Sequence, residues 1–206
     1  MALAGTLALV ALAIALWLRP WRLLAAQHAL LSPLLATLVI LPWLWALPAL
    51  HHAPLQLQWS GAVLVLLMLG WPLAIPVLLA VGVLAWAISP LTAEAALAQA
   101  VWQGVVPATF ALLLGAALRR WLPPHPFIYV LGRGFLGAVV CLFAASLLAQ
   151  AMEAPLPGVP DELGSIARWL MAWGDAFVTG MLTAIFVAFR PQWLLTWSDR
   201  RYLEKH

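Results

Sequence analysis

Residues 166–203 read IARWLMAWGDAFVTGMLTAIFVAFRPQWLLTWSDRRYL, and this stretch decides the class of fold. Its first part, up to Phe189, predicts a membrane-spanning helix, because about 20 apolar residues are enough to cross a bilayer. One acid, Asp175, lies near the middle of that helix. An ionisable side chain at that depth is energetically costly, so it marks a candidate functional site. The tail combines tryptophan, tyrosine and arginine, which is typical of a membrane-interface anchor.

The composition of the whole chain agrees with a membrane protein. Of its 206 residues, 66% are hydrophobic and 8% are charged, whereas a soluble domain has about 25% charged residues. We therefore predict a single transmembrane domain over residues 1–206. The net charge of +3 is small, and the cations lie between apolar runs, so nucleic-acid binding is a poor explanation of them. The single cysteine, Cys141, excludes an internal disulfide and is expected to be a small buried hydrophobe.

The first apolar run, residues 2–18, predicts an uncleaved span. Arg19 and Arg22 follow this run and no cation precedes it. A secretory signal has the opposite order, with its charge before the apolar core. The expected N-terminus is therefore outside. Small residues recur in this run at helical spacing, which either permits close helix packing or only reflects abundant alanine. They are Ala4, Ala8, Ala11 and Ala15.

The remaining apolar runs predict spans at residues 30–50, 96–118 and 127–150, in addition to the last one. Residues 59–89 are ambiguous. A single helix of that length would be longer than a bilayer requires, whereas two full spans need about 40 residues. Gly70-Trp71-Pro72 and Pro76 interrupt the run near its middle.

The distribution of charge favours two crossings over residues 59–89. With two crossings, eight cations fall on one side: Arg19, Arg22, Arg119, Arg120, Arg190, Arg200, Arg201 and Lys205. The acidic segment that contains Glu153, Asp161 and Glu162 then falls on the other side. A single crossing would separate Arg119 from Arg19. The positive-inside rule thus predicts an all-α polytopic membrane helix bundle of about seven transmembrane helices. Its N-terminus is expected outside and its C-terminus in the cytoplasm, with the bundle in the bacterial inner membrane.

The last predicted helix carries a stripe of four side chains at four-residue spacing, which places them on one helix face. They are Met171, Asp175, Thr179 and Thr183. One interpretation is that this face lines a substrate or ion site. The other is that Asp175 is a structural acid and that the threonines bond carbonyls of their own helix.

His51 and His52 follow the predicted second span. Adjacent residues do not share a helix face, so the pair is either a set of metal ligands in a loop or a pair of ordinary interfacial histidines. A hard or borderline metal ion would accept Asp175, a histidine and backbone groups as ligands. We therefore carry Asp175, His51 and His52 as candidate metal ligands.

No motif for enzymatic chemistry is present in the sequence. It contains no Walker loop, no HExxH metalloprotease motif and no Ser/His/Asp arrangement. The GRGFLG match at residues 132–137 has no strand before it, so its glycines are better explained by helix packing. Arg133 within this match is expected either to extend back to the membrane interface or to have a functional role. We predict that the chain is not an enzyme.

Several segments carry a family resemblance. They are DAFVTGM at 175–181, FRPQW at 189–193, TWSD at 196–199 and YL at 202–203, with PFIY at 126–129 and GW at 70–71. Together with Thr183, these segments resemble the bacterial membrane proteins identified as energy-coupling factor ABC transporter permeases. That family is related to the CbiM-type substrate-binding subunits for cobalt and nickel uptake. The likeness covers roughly residues 55–203.

The resemblance implies a substrate-binding membrane subunit of an energy-coupling factor transporter for a transition-metal ion. Such a subunit works with a scaffold membrane protein and with ATPase subunits, and the metal ion is its transported substrate and not a cofactor. The alternative is a non-transporting membrane subunit that assembles with a larger membrane complex. In both cases membrane lipids surround the chain.

The sequence departs from the family pattern at three places. CbiM-type subunits bind metal through an N-terminal Met-His start, whereas this chain begins Met1-Ala2-Leu3. Gln58 stands where related members carry histidine in a Leu-His-Phe-like segment. Asp175 and Thr179 stand where relatives tend to have Glu and Asn.

Overall fold

A computed structural model describes residues 2–50, 59–152 and 164–202, and within these ranges all regular structure is helical. The α-helices are α1 (Ala2–Trp17), α2 (Trp21–Ala26), α3 (Leu31–Leu50), α4 (Ala62–Leu69), α5 (Trp71–Ile88), α6 (Ala93–Gln99), α7 (Val106–Trp121), α8 (Leu136–Ala151), α9 (Gly164–Phe189) and α10 (Asp199–Tyr202). Short 3₁₀ turns at His28–Leu30 and Pro191–Trp193 and π-helical segments at Ala100–Val105 and Ile128–Phe135 complete the order.

The helices confirm a helical membrane bundle. Within the described residues, five helical stretches are long and apolar enough to span a bilayer, and α1 is a shorter apolar helix of 16 residues. The five stretches are His28–Leu50, Trp71–Ile88, Ala93–Trp121, Ile128–Ala151 and Gly164–Phe189. Four of them match predicted spans to within a few residues, and Trp71–Ile88 lies in the ambiguous run at residues 59–89. The α6 helix and the first π-helical segment simply extend α7 toward its N-terminus.

Residues 59–89 fold differently from the two short spans that the charge pattern predicts. The structure has one full-length helix here, α5, and one short helix, α4, of 8 residues. At 1.5 Å per residue, α4 is about 12 Å long and cannot cross a bilayer core of about 30 Å. All of its side chains are buried. Helix lengths in the described residues therefore do not support a count of seven full-length spans.

The break between α4 and α5 lies at Gly70. Its backbone has φ 69° and ψ 159°, a combination that essentially only glycine adopts. Pro72 follows in the first turn of α5, where its missing N–H is harmless because that group would have no helical partner. Glycine and proline thus end one helix and start the next, which the sequence pattern at residues 70–72 already indicated.

The carbonyls at the end of α4 are bonded by the C-terminal tail. The Leu195 amide donates to the Met68 carbonyl at 2.9 Å, and the Thr196 hydroxyl donates to the Leu67 carbonyl at 2.9 Å. The Tyr129 hydroxyl lies 2.7 Å from the Thr196 hydroxyl. The last carbonyls of a helix have no hydrogen-bond partner within that helix. The tail therefore supplies donors to α4 carbonyls that would otherwise be buried without a hydrogen bond.

The tail is accordingly more than an interface anchor. Trp197 and Tyr202 are each 8% exposed, and their rings stack with centroids 4.6 Å apart. Both rings contact Tyr129 edge-on. The aromatic composition alone indicated a lipid-facing role for this segment, whereas these two rings pack against the bundle.

Five exposed arginines lie at the same end of the bundle, which we call the arginine end: Arg19, Arg22, Arg119, Arg120 and Arg190. The turn at His28–Leu30, next to α2, packs against the turn at Pro191–Trp193. Leu122, after α7, lines a cleft together with Tyr202 of the tail.

The small-residue stripe of α1 packs against the bundle. Ala8 is 7% exposed and Ala15 is fully buried, and α1 contacts α5 and the π-helical segment Ala100–Val105. Cys141 is buried as expected. The acidic segment with Glu153, Asp161 and Glu162 lies outside the described residues.

Candidate functional site

The Asp175 carboxylate lies in the centre of a buried polar network. Asp175 is 5% exposed. Its Oδ2 accepts hydrogen bonds from the backbone amides of Ser60 at 2.7 Å and Gly61 at 3.2 Å. Its Oδ1 accepts a hydrogen bond from the Thr179 hydroxyl at 3.0 Å. Both carboxylate oxygens are therefore bonded within the chain.

The two amides that Asp175 binds precede the first turn of α4. Gly61 has a positive φ of 65°, which turns the chain so that consecutive amides point toward one acceptor. The Ser60 hydroxyl accepts a hydrogen bond from the Ala62 amide at 3.2 Å. A helix N-terminus leaves amides unbonded and carries partial positive charge, so an anion is stabilised there. The acid on α9 thus caps a short helix that starts inside the bundle.

Ser60 extends the network to α3 and to the first π-helical segment. The Trp45 indole N–H donates to the Ser60 carbonyl at 3.1 Å, and the Ser60 hydroxyl donates to the Gln103 carbonyl. The Gln99 amide donates to the Trp45 carbonyl at 3.1 Å. A π-helical turn changes the hydrogen-bond pattern of a helix and is frequent at functional sites. The network therefore joins four parts of the bundle around one carboxylate.

Trp59 adds a donor that no described residue satisfies. Its indole lies beside the Asp175 carboxylate, but its Nε1–H is buried and has no acceptor at hydrogen-bond geometry in the described part of the chain. Because a buried unsatisfied donor is unfavourable, a small shift of the carboxylate or a bound acceptor would be stabilised here. The Trp59 indole and the Asp175 carboxylate thus lie side by side without a hydrogen bond of normal geometry between them.

Three of the four predicted stripe residues come together. Asp175, Thr179 and Thr183 are all buried on one face of α9. Thr179 bonds the carboxylate, whereas the Thr183 hydroxyl donates to the Thr179 carbonyl at 2.7 Å, one turn earlier in its own helix. Met171 is half-buried one turn before Asp175. A substrate role for these four residues stays a prediction.

The candidate metal ligands are only partly described. His51 and His52 lie outside the described residues. Within those residues, no group of three or more histidine, cysteine, aspartate or glutamate side chains comes close enough to hold a metal ion. Asp175 Oδ1 accepts a single hydrogen bond in the described residues, so this oxygen keeps a lone pair for a further partner.

Sequence reasoning did not find Ser60, Gly61, Trp45 or the two glutamines as members of this site. A signal existed for two of them, because Ser60-Gly61 directly before an apolar run is a typical helix N-cap. No local pattern pairs that cap with an acid more than a hundred residues later in the chain.

Comparison of the chain with known protein families, with curated proteins and with solved structures found no match.

Proposed function

We propose that this chain is the substrate-binding membrane subunit of an energy-coupling factor transporter, with a cobalt- or nickel-like ion as its substrate. The observation that supports this proposal best is the position of the N-terminus of α4, which lies within the bundle and is bonded to Asp175 of α9. Membrane transporters commonly build substrate sites from discontinuous helices whose ends lie at membrane depth. The end motif at 175–203, which resembles the permease family, points to the same class.

Asp175 would act as the group that exchanges partners. A cation bound at Asp175, with His51 and His52 as further ligands, would compete with the Ser60 and Gly61 amides for the carboxylate. Releasing these amides would free the start of α4. The far end of α4 is bonded to Leu195 in the tail, so substrate binding would be transmitted to the arginine end, where a scaffold protein and its ATPases would dock.

The experiment is a mild membrane purification of the full chain from its own host, followed by identification of bound proteins and elemental analysis. We expect a pair of ATPases with a scaffold protein, and about one transition-metal ion per chain. The chain alone is expected not to hydrolyse ATP, because it has no phosphate-binding loop. Purification free of ATPases and of metal, with the fold intact, would contradict the proposal.

A second candidate is a non-transporting membrane subunit that stabilises a larger complex. The observation that favours it is the complete hydrogen bonding of Asp175 within the chain, because a capping acid needs no ligand. In that case the same purification yields a respiratory or other large complex, and the chain carries no metal.

We also propose a topology in which residues 59–89 cross the inner membrane twice, for seven crossing segments in total. The third and fourth segments would be short, with α4 in the third and α5 in the fourth. The shared position of the exposed arginines at the arginine end supports this, since cationic loops stay in the cytoplasm. The N-terminus would then be outside and the C-terminus inside.

The topology predicts which positions an impermeant thiol reagent can reach. In a Cys141→Ala background, we expect Gly158→Cys to be labelled from outside intact cells and Ser198→Cys to be labelled only after the cells are opened. Ser198 is exposed in the fold. If it is not labelled in intact cells, the barrier to the reagent is therefore the membrane and not burial within the protein. The reverse pattern would invert the proposed orientation.

A further inference from the structure

Arg133 is a buried cation without hydrogen-bond partners for two of its nitrogens. It lies in the π-helical segment Ile128–Phe135 and is 6% exposed. Its Nε and Nη1 atoms are buried and have no acceptor in the described part of the chain. The sequence-based alternatives for this arginine, an extension to the interface or a functional role, stay predictions.

The surroundings of Arg133 hold the guanidinium but do not satisfy its donors. Its Cζ lies 5.2 Å from the centre of the Tyr129 ring, which is a cation–π contact. The face of an aromatic ring attracts a cation, but it does not provide a hydrogen-bond acceptor in the plane of the guanidinium group. Unpaired buried donors on a charged group are expensive. The site is therefore incomplete without an acceptor.

Gly115 on α7 provides the space for this guanidinium. A Cβ atom at Gly115 would lie 2.7 Å from Nη2 and 2.9 Å from Nε of Arg133. Any larger residue at this position would push the guanidinium aside. The close approach of α7 thus determines where the charge sits.

The guanidinium borders a small cleft at the arginine end. Arg119, Leu122, Tyr129 and Tyr202 are among the residues that line it. Its cavity volume of about 20 Å³ is room for one water-sized group. Arg133 brings its unsatisfied donors to this lining, so an anionic acceptor is favoured there.

We propose that the Arg133 cleft binds a phosphate group, supplied by the headgroup of an anionic phospholipid. A guanidinium fork matches phosphate oxygens in geometry and charge, and one such oxygen fits the available space. The cleft lies at an end of the membrane spans, where headgroups are found, and basic pockets between membrane helices bind anionic headgroups. Free phosphate presents the same oxygens and is the other source to be tested.

The test uses the purified full chain, stripped of lipid in detergent, with its thermal unfolding followed by tryptophan fluorescence. We expect added phosphatidylglycerol to raise the melting temperature by several degrees. Phosphatidylcholine, which has a phosphate but no net charge, and inorganic phosphate are the comparison ligands. If inorganic phosphate stabilises the protein and phosphatidylglycerol does not, the cleft binds a soluble anion and the lipid assignment is wrong.

For Arg133→Gln, we expect that about tenfold more phosphatidylglycerol is needed for the same rise in melting temperature. The reason is that the substitution removes charge-assisted hydrogen bonds. Arg120→Gln is the matched control: it removes one exposed charge from the same end and does not line the cleft. We expect it to respond as the wild type does. Equal responses of both variants, or none in the wild type, would contradict the proposal.

Gly115→Ala provides a variant that keeps the charge. Because the atoms that its Cβ meets are at the end of a flexible side chain, the fold is expected to persist while the guanidinium moves out of position. The response to phosphatidylglycerol should fall as it does for Arg133→Gln. An unchanged response in a folded Gly115→Ala protein would show that the position of Arg133 is irrelevant to lipid binding.

Discussion

Replacing Asp175 with leucine is expected to destabilise the bundle severely. The substitution leaves three buried donors without an acceptor: the amides of Ser60 and Gly61 and the hydroxyl of Thr179. Each unsatisfied donor costs about 1–3 kcal/mol, so the total is about 3–9 kcal/mol. That is a large part of the stability of a typical domain, about 5–15 kcal/mol. Thermal unfolding of the purified protein in detergent measures the loss.

Asp175→Asn is the informative partner of this variant. The asparagine carbonyl can accept from the two amides, and its NH₂ group can donate to the Thr179 hydroxyl, which can turn to accept. We expect a loss of about 1 kcal/mol. Thr183→Val is the control on the same helix face, because its hydroxyl bonds only its own helix and its removal should change stability by less than about 1 kcal/mol. A leucine variant as stable as the wild type would mean that the carboxylate does not hold α4.

The same variants separate the two proposed functions. If Asp175 binds a transported cation, Asp175→Asn should remain folded and lose metal retention by about tenfold or more, because the charge is gone while the packing is kept. If Asp175 is only a cap, Asp175→Asn should leave the metal content unchanged, and only Asp175→Leu should lose much stability. Full metal retention in a stable Asp175→Asn protein would leave Asp175 as a structural residue.

Gly70→Ala is expected to cause the second large loss of stability. The backbone angles at Gly70 belong to a region that costs a residue with a Cβ about 1–3 kcal/mol. The added Cβ would also lie 2.7 Å from Cδ2 of Leu195. Overpacking of this kind costs about 1–3 kcal/mol, and the backbone of Leu195 is held in place by the bond from its amide to Met68. We expect a total loss of about 2–6 kcal/mol.

Gly174→Ala is the matched control for this substitution. Gly174 lies within α9, and a Cβ there would meet nothing within 4 Å. Alanine favours a helix over glycine by about 1 kcal/mol, so this variant should be as stable as the wild type or more so. Equal melting temperatures for the two alanine variants would show that the α4–α5 break tolerates a side chain.

Much of the fold follows from local sequence. Apolar runs of bilayer length predicted α3, α7, α8 and α9 because a helix satisfies its backbone within itself, so each span can be recognised alone. The four-residue spacing predicted that Asp175, Thr179 and Thr183 share one buried face, since helical geometry depends only on position along the chain. The charge pattern predicted that Arg19 and Arg119 lie at the same end.

The tertiary structure decided the rest. An apolar run shows that residues 59–89 are buried but does not show how far each half extends, because Gly70 can break a helix at any depth. The pairing of Asp175 with Ser60 and Gly61, and of Leu195 with Met68, joins segments more than a hundred residues apart. Burial of Arg133 depends on Gly115 of a neighbouring helix. Sequence alone therefore determined which segments are helices in the membrane, whereas packing between distant segments determined where α4 begins and ends and which polar groups it meets.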